Sequence, residues 1–169
     1  MPGKGELHLT GKLGEVMKES AAAAVGYIRA NAARLGLDPN YFAGHDLHVH
    51  LPEGAVPKDG PSAGAAMAVA MLSALTGRKA DRQKAITGEI TLLGKVLPVG
   101  GIKAKVLAAH REKIRNLILP RANERDVRKD IPESVAKVMN VTYAEKLDQI
   151  LAAALGPPAP APPRPAPGA

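Results

Sequence analysis

The apolar residues of this chain change their spacing several times, and these changes restrict the possible folds more than any other feature. Over residues 13–28 they recur at helical intervals, and Gly36 offers a stop signal further on. Over residues 46–51 they alternate strictly with polar residues, as in a half-buried strand. Because hairpin-like and crossover connections are mixed, the sequence predicts an α+β fold, with a mixed sheet and helices packed against it.

Glycine and proline separate the remaining segments. A helix rich in Ala and Met is predicted over 62–76, after a loop at 52–61, and Gly77 ends it. The other predicted elements are strands at 84–91, 95–99, 116–119 and 141–143, helices at 102–113, 131–139 and 145–155, and a turn at Gly94.

The core of this fold has to be built almost without aromatic rings. Hydrophobic residues make up 46% of the 169, but aromatic residues only 2%, and Phe42 is the single Phe. A chain of this length suits one domain. The absence of Cys excludes disulfides and thiolate chemistry. The sequence has neither a signal peptide nor a long apolar run, so we expect a cytoplasmic protein with no membrane partner.

The last residues differ in composition from the rest. Residues 1–155 are predicted to form the globular domain, whereas residues 156–169 consist mostly of Pro and Ala. Proline lacks an N–H donor and fixes φ, so this tail is predicted to be disordered and polyproline-like. No function is assigned to it.

Ser62 is the strongest candidate for a nucleophile. It lies in the run Pro57-Lys58-Asp59-Gly60-Pro61-Ser62-Ala63-Gly64. Its hydroxyl would lie at the mouth of the predicted helix, where unpaired N–H groups stabilise developing negative charge. The turn formed by Gly60, Pro61 and Ser62 is the candidate oxyanion site. The alternative is that Ser62 only caps the helix.

A serine needs a base, and a lysine pair follows a double glycine downstream. Lys103 and Lys105 lie two residues apart on a predicted helix, so they face different directions and only one is expected to be buried. A lysine amine acts as a base only in its neutral form, which an apolar setting favours. Thr87 could orient such an amine by a hydrogen bond. The alternatives are that both lysines extend into solvent and that Thr87 is an ordinary strand residue.

Two other functions compete with this interpretation. The residues Gly60-Pro61-Ser62-Ala63-Gly64 also fit the nucleophile elbow of esterase-like hydrolases, with Asp81 and His110 as acid and base. However, loop residues and not a strand precede this run. The net charge of +7 with clustered Arg and Lys would suit a non-catalytic basic module that binds nucleic acid or other partners.

Several motifs together resemble the proteolytic domain of the ATP-dependent Lon protease family, of the bacterial and mitochondrial type. They are Pro-Lys-Asp-Gly-Pro-Ser-Ala-Gly, Thr-Gly-Glu-Ile-Thr, Gly-x-Val-Leu-Pro-Val-Gly-Gly-Ile-Lys-x-Lys and Leu-Ala-Ala-His-Arg. The resemblance extends over roughly residues 5–155. That family consists of serine endopeptidases with a Ser-Lys dyad, which implies that Ser62 is the nucleophile, Lys105 the base and Lys103 a bystander.

The resemblance also assigns supporting residues. Thr87 matches the threonine that hydrogen-bonds the lysine amine, Asp59 the acidic residue before the nucleophile, and His50 a histidine near the site. His48 and His50 share one face of a predicted strand, but no third metal ligand is apparent, so a supporting role is expected and no metal.

Cofactors and partners are implied by the same resemblance. Family members carry an ATPase module that uses ATP and Mg²⁺, and they assemble as homohexamers that degrade misfolded and regulatory proteins. This sequence has no Gly-x-x-x-x-Gly-Lys-Ser/Thr loop. We therefore expect a truncated piece of a longer protein, lacking the ATPase module and one or more leading strands. Expected partners are unfolded polypeptides and further copies of the chain, with weak DNA contact also considered; no cofactor is expected for this domain.

Overall fold

The computed structural model of this chain describes residues 1–52 and 59–156. The strands are β1 (Leu7–Thr10), β2 (Leu47–His50), β3 (Lys84–Ile86), β4 (Glu89–Ile90), β5 (Val96–Leu97), β6 (Asn116–Pro120) and β7 (Asn140–Ala144). The helices are α1 (Glu15–Ala30), α2 (Gly64–Thr76), α3 (Ile102–Arg111), α4 (Glu124–Asp130), α5 (Glu133–Ala136) and α6 (Leu147–Ala154). Short 3₁₀ turns lie at Ala33–Leu35, Tyr41–Ala43, Pro61–Ala63 and Arg121–Asn123. The predicted α+β class is confirmed.

Within the described residues, the strands form three small sheets instead of one. β1 and β2 form a parallel pair, β4 and β5 an antiparallel pair, and β3, β6 and β7 a parallel sheet in the order β3-β6-β7. Both hydrogen-bonding directions are therefore present, but in separate ladders.

Two aliphatic cores lie on either side of strand β6. The first packs α1, α2 and α6 together around fully buried Ile28, Leu72 and Ile150. The second packs α3 and the segments that follow it against β6 and β7. Successive strand residues point to opposite faces. Ile118 of β6 accordingly belongs to the first core, whereas Leu117 and Leu119 belong to the second.

The strand predicted over 84–91 is wrong as a single element, because the chain changes sheets at Thr87 and Gly88. β3 runs parallel to β6, whereas β4 pairs antiparallel with β5. Gly88 has a φ of +154°, and a Cβ there would lie 3.2 Å from the side chain of Val96. This break leaves Thr87 between the two sheets, next to the end of β3.

Two helix boundaries also differ from the prediction. Gly36, with a φ of +84°, ends a 3₁₀ turn, while α1 already ends at Ala30. Only α5 remains of the helix predicted over 131–139, because Pro132 directly precedes it and has no N–H to continue a helix. The spacing of that segment is nevertheless meaningful, since three apolar residues at intervals of four pack in the second core, Ile131, Val135 and Met139, whereas Val138 is exposed.

Strand β1 and helix α4 have no counterpart among the predicted elements. β1 has only four residues, and α4 buries a single apolar side chain, Val127, so neither produces a clear period. β1 aligns with β2 so that His8 lies opposite His48 and Thr10 opposite His50.

The predicted loop and tail lie partly outside the described residues. This applies to 53–58 of the loop and to 157–169 of the tail. Gly156 is described, and its N–H donates to Lys79 O at 3.0 Å while its carbonyl accepts from Arg78 Nε at 2.8 Å. No helix in the described part of the chain is long and apolar enough to span a membrane.

Candidate active site

Ser62 lies in a single 3₁₀ turn, Pro61–Ala63, that leads directly into α2. Proline at the first position suits a helix start, and Gly60 before it has a φ of +134°, which a residue with a Cβ rarely adopts. Neither the 3₁₀ turn nor α2 has a side-chain cap. Ser62 therefore does not cap α2, and its hydroxyl is not used to satisfy the helix start.

The backbone around Ser62 is bound to the segment between β3 and β4. The carbonyl of Ser62 accepts two hydrogen bonds, from Gly88 N–H and from the Thr87 hydroxyl, both at 3.1 Å. Gly88 O in turn accepts from Ala65 N–H at 3.0 Å. These bonds fix the position of the turn relative to the end of β3.

Lys105 lies in the first turn and a half of α3, which begins directly after Gly100 and Gly101. Lys103 is exposed, whereas Lys105 is half-buried. The Lys105 amine donates to Gly100 O at 3.1 Å. The lysine that faces inward is thus the second of the pair.

A cavity of about 260 Å³ brings the candidate residues together. Its polar lining consists of Ser62, Thr87 and Lys105. The rest of the wall is aliphatic and comes from both cores, with Ile86 from the first and Val106 from the second. A hydroxyl, a second hydroxyl and an amine therefore share a small apolar space at the boundary between the two cores.

Thr87 contacts the serine turn and not the lysine amine in this conformation. Its side chain is 6% exposed, and its hydroxyl donates to Ser62 O. The resemblance had implied a bond between Thr87 and Lys105. The hydroxyl oxygen of Thr87 keeps lone pairs that could accept from an amine in the same cavity.

Asp59 supports the turn from outside the cavity. Its Oδ1 accepts from Gly60 N–H at 2.9 Å and from Met17 N–H, in the first turn of α1, at 3.0 Å. The carboxylate therefore joins the turn that contains Ser62 to the start of α1, which is remote in sequence.

His50 does not line the cavity that contains Ser62. His48 Nε2 and His50 Nδ1 lie 2.9 and 2.8 Å from the hydroxyl oxygen of Thr10, on the exposed face of the β1–β2 pair. His50 borders a neighbouring apolar groove that also reaches Ala63 and Ala66. Within the described residues, no group of three His, Cys, Asp or Glu side chains is placed to hold a metal ion.

The residues of the two competing functions are not assembled in the same way. Asp81 pairs with Lys84 at 3.2 Å, and neither Asp81 nor His110 borders the Ser62 cavity. In the basic patch that follows β6, Arg121 and Arg128 both pair with Glu124, at 3.2 and 2.6 Å. Part of that positive charge is thus neutralised within the chain.

Asn123 is a structural residue of the site that the sequence did not reveal. Its side chain is 2% exposed; its Oδ1 accepts from Val99 N–H at 2.9 Å, and its Nδ2 donates to Val99 O at 3.0 Å. This pair of bonds fixes the residue directly before Gly100, whose carbonyl binds the Lys105 amine. Since the partners are 24 residues apart, no local pattern identifies them.

The sequence of this chain matches a known protein family over almost its whole length. The sequence model of the Lon protease (S16) C-terminal proteolytic domain matches residues 1–157. Lon protease 1 of Bacillus subtilis (strain 168) is 54% identical over 154 residues, which cover 91% of this chain and 20% of the relative. Lon protease 1 of Myxococcus xanthus is 54% identical over 155 residues, covering 92% and 19%. The Lon protease of Desulforamulus reducens is 56% identical over 153 residues, covering 90% and 19%.

The chain spans about a fifth of the length of these curated relatives. The match nevertheless includes nearly all of the described residues, among them the cavity with its serine, threonine and lysine. A family match across this range, together with relatives in which more than half of the aligned residues are identical, shows that the chain belongs to the Lon protease family.

Proposed function

We propose that this chain is a serine endopeptidase in which Ser62 is the nucleophile and Lys105 the general base. The observation that carries this proposal is the shared cavity, in which the Ser62 and Lys105 side chains face the same small space and the remaining walls are aliphatic. The aliphatic wall leaves a serine hydroxyl and a lysine amine among the few polar groups of this cavity, and a nucleophile with an adjacent base is the pair that acyl transfer requires. Family membership supports the same chemistry.

The reaction begins with a rotation of the Lys105 side chain. Its amine leaves Gly100 O and approaches the Ser62 hydroxyl, a movement for which the flexible lysine stem is suited. Thr87, on the same cavity, can accept a hydrogen bond from the amine and so orient it.

Lys105 then removes the proton as Ser62 Oγ attacks the scissile carbonyl carbon. The negative charge moves to the carbonyl oxygen. Of the three residues of the candidate oxyanion turn, Gly60 uses its N–H to bind Asp59 and Pro61 has none, so Ser62 N–H is the donor that remains. The N-terminus of α2 adds favourable electrostatic potential.

The intermediate collapses as the carbon–nitrogen bond breaks. The Lys105 ammonium gives its proton to the leaving amine, and an ester links the substrate to Ser62. Water then attacks this ester while Lys105 accepts one of its protons. The second tetrahedral intermediate collapses as the ester C–O bond breaks, Lys105 returns the proton to Ser62 Oγ, and the acid product leaves. Protein groups supply every proton transfer in this scheme, and no step uses ATP.

Substrates and partners follow from the same proposal. We expect the aliphatic wall around Ser62 to accept an apolar side chain next to the scissile bond, in an unfolded polypeptide. In the longer protein, an ATP-dependent unfolding module and a homohexameric assembly would deliver such substrates, in the cytoplasm. The described chain alone would cleave short unstructured peptides.

The test compares Ser62→Ala, Lys105→Ala and Lys103→Ala. Hydrolysis of an unstructured peptide and covalent labelling by a serine-reactive phosphonate are measured on each. We expect the first two to lose about 10³-fold in hydrolysis, and the exposed Lys103 variant to match the parent chain. Hydrolysis that survives Ser62→Ala would refute the proposal. Salt-dependent DNA binding without any labelling would favour the non-catalytic basic module instead.

A further inference from the structure

Helix α1 begins without a cap from its own segment. Its N-cap residue is Gly14, which has no side chain to accept from the first N–H groups of the helix. The missing acceptor is supplied by Asp59, whose Oδ1 lies 3.0 Å from Met17 N although the two residues are 42 positions apart. A carboxylate at this place also interacts favourably with the positive end of the helix dipole.

A glycine is required at position 14 because of the space beside Asp59 and not because of its backbone conformation. Its φ of −70° and ψ of 168° are accessible to any residue. A Cβ on Gly14, however, would lie 2.5 Å from both Cβ and Oδ2 of Asp59, and closer still to its Cγ. Any side chain at this position therefore has to displace the Asp59 carboxylate.

We propose that Gly14, Met17 N–H and the Asp59 carboxylate form a clamp that positions the nucleophile turn, which makes Gly14 a positioning residue for catalysis. The clamp rests on the function proposed above for Ser62. Its physical basis is that one oxygen, Asp59 Oδ1, accepts from both Met17 N–H and Gly60 N–H. The start of α1 thereby fixes the peptide just before Pro61 and Ser62.

The clamp acts on the direction of the serine hydroxyl and of Ser62 N–H. Gly60 has few conformational restraints of its own, so without the bond to Asp59 its peptide can rotate more widely, even though Gly88 N–H and Thr87 still hold Ser62 O. Rotation there would turn the following residues away from the cavity. Because Gly60 N–H is occupied by Asp59, the clamp also leaves Ser62 N–H as the oxyanion donor of the turn.

The experiment introduces a methyl group at Gly14 and measures chemistry at Ser62. Gly14→Ala should lower kcat for peptide hydrolysis and the phosphonate labelling rate by on the order of 10- to 100-fold, with little change in KM. Gly44→Ala is the matched control, because a Cβ at Gly44 meets no atom within 4 Å. It should behave as the parent chain does.

The dependence on Asp59 is tested by a double-mutant cycle. In an Asp59→Gly background, Gly14→Ala should cause no further loss, because the side chain it displaces is already absent. Asp59→Asn keeps one oxygen acceptor and should retain more activity than Asp59→Gly. Parent-like labelling of Gly14→Ala, or an equal additional loss in the Asp59→Gly background, would overturn the clamp.

Amide hydrogen exchange separates this inference from the proposed function. If the clamp exists, exchange at Met17 and Gly60 is faster in Gly14→Ala than in the parent, whether or not Ser62 is the nucleophile. If Gly14→Ala does not fold, the same amides are compared between the parent and Asp59→Gly. Unchanged exchange in the variant overturns the clamp. If exchange is faster in the variant but the phosphonate does not label the parent chain at Ser62, only the proposed function is overturned.

Discussion

The two sides of the cavity are stabilised at different levels of structure. On the serine side, hydrogen bonds fix the backbone itself: Ser62 O accepts from Gly88 N–H and Thr87, and Asp59 binds Gly60 N–H. On the lysine side, Asn123 fixes the backbone at Val99, but the Lys105 amine has only the bond to Gly100 O among the described contacts. The difference shows which part of the site is preorganised and which part is able to move.

A nucleophile gains from a fixed position, because small displacements of reacting atoms reduce rates strongly. A base that must accept, release and accept a proton again gains from a side chain that can move between partners. In the function proposed above, the flexible stem of Lys105, on α3, would meet this need. Activity in this chain should therefore depend on side-chain rotation at Lys105 and on backbone order at Ser62. The predictions below test that division.

The largest effect is expected on the lysine side, from Asn123→Ala. The substitution removes both partners of the Val99 backbone, and each buried group left unpaired costs about 1–3 kcal/mol. The midpoint of urea unfolding should shift to a lower urea concentration, and the rate of peptide hydrolysis should fall because the support of Gly100 is lost. Asn140→Ala is the control, since the Asn140 side chain forms an exposed bond to Asn116. An unfolding midpoint equal to that of the parent would show that Val99 does not depend on Asn123.

The contrast between Asn123 and Ser62 also explains what the sequence could predict. Ser62 and the lysine pair stood out as candidates because their neighbours in sequence, small residues and a double glycine, form local patterns, whereas the choice of Lys105 over Lys103 came from the resemblance. Asn123 lies 24 residues from Val99, and Met17, in the helix that Gly14 precedes, lies 42 residues from Asp59, so no local pattern contains these contacts. Their roles depend on tertiary contacts.

The same reasoning applies to the fold. The ends of α2 were predicted well because Pro61 and Gly77 act on their immediate neighbours. The division of residues 84–91 between two sheets was not predicted, because it depends on which distant strand each half pairs with. β3 pairs with β6 and β4 with β5, although the residues of both halves have similar strand propensity.

A smaller effect is expected on the serine side, from Thr87→Val, which keeps the shape of the side chain and removes its hydroxyl. Ser62 O would retain Gly88 N–H, so the loss of stability should be about 1 kcal/mol. Hydrolysis should fall by roughly 10-fold or more, because the turn loosens and the amine loses an acceptor. Thr91→Val is the control, since the Thr91 hydroxyl accepts only from Lys95 N–H in a turn. Equal rates for Thr87→Val and the parent would contradict a preorganised serine side.

The smallest effect concerns how each side responds to acid. The first core, which reaches the serine side of the cavity at Ala63 and Ile86, contains α1 and α6. These helices are joined through Asp148, which accepts from the Tyr27 hydroxyl at 2.7 Å and from Arg34 at 2.6 Å. Burial alone would raise the pKa of the Asp148 carboxyl, but the bonds from Arg34 and Tyr27 outweigh burial and lower that pKa below its ordinary 3.8. Its contribution to stability is therefore complete above pH 3.8 and declines as the pH falls through the lowered value.

Asp148→Asn should accordingly reduce the difference between melting temperatures measured at pH 5 and at pH 3. The change should be small, because the Asp148 side chain is 43% exposed and solvent screens the pair. Glu124→Gln is the comparison on the lysine side. The pKa of Glu124 is also lowered, by hydrogen bonds from Arg128 and Arg121, but these partners are near neighbours in sequence and do not join distant helices. A larger effect of Glu124→Gln than of Asp148→Asn would place the acid-sensitive contact on the lysine side and reverse the comparison.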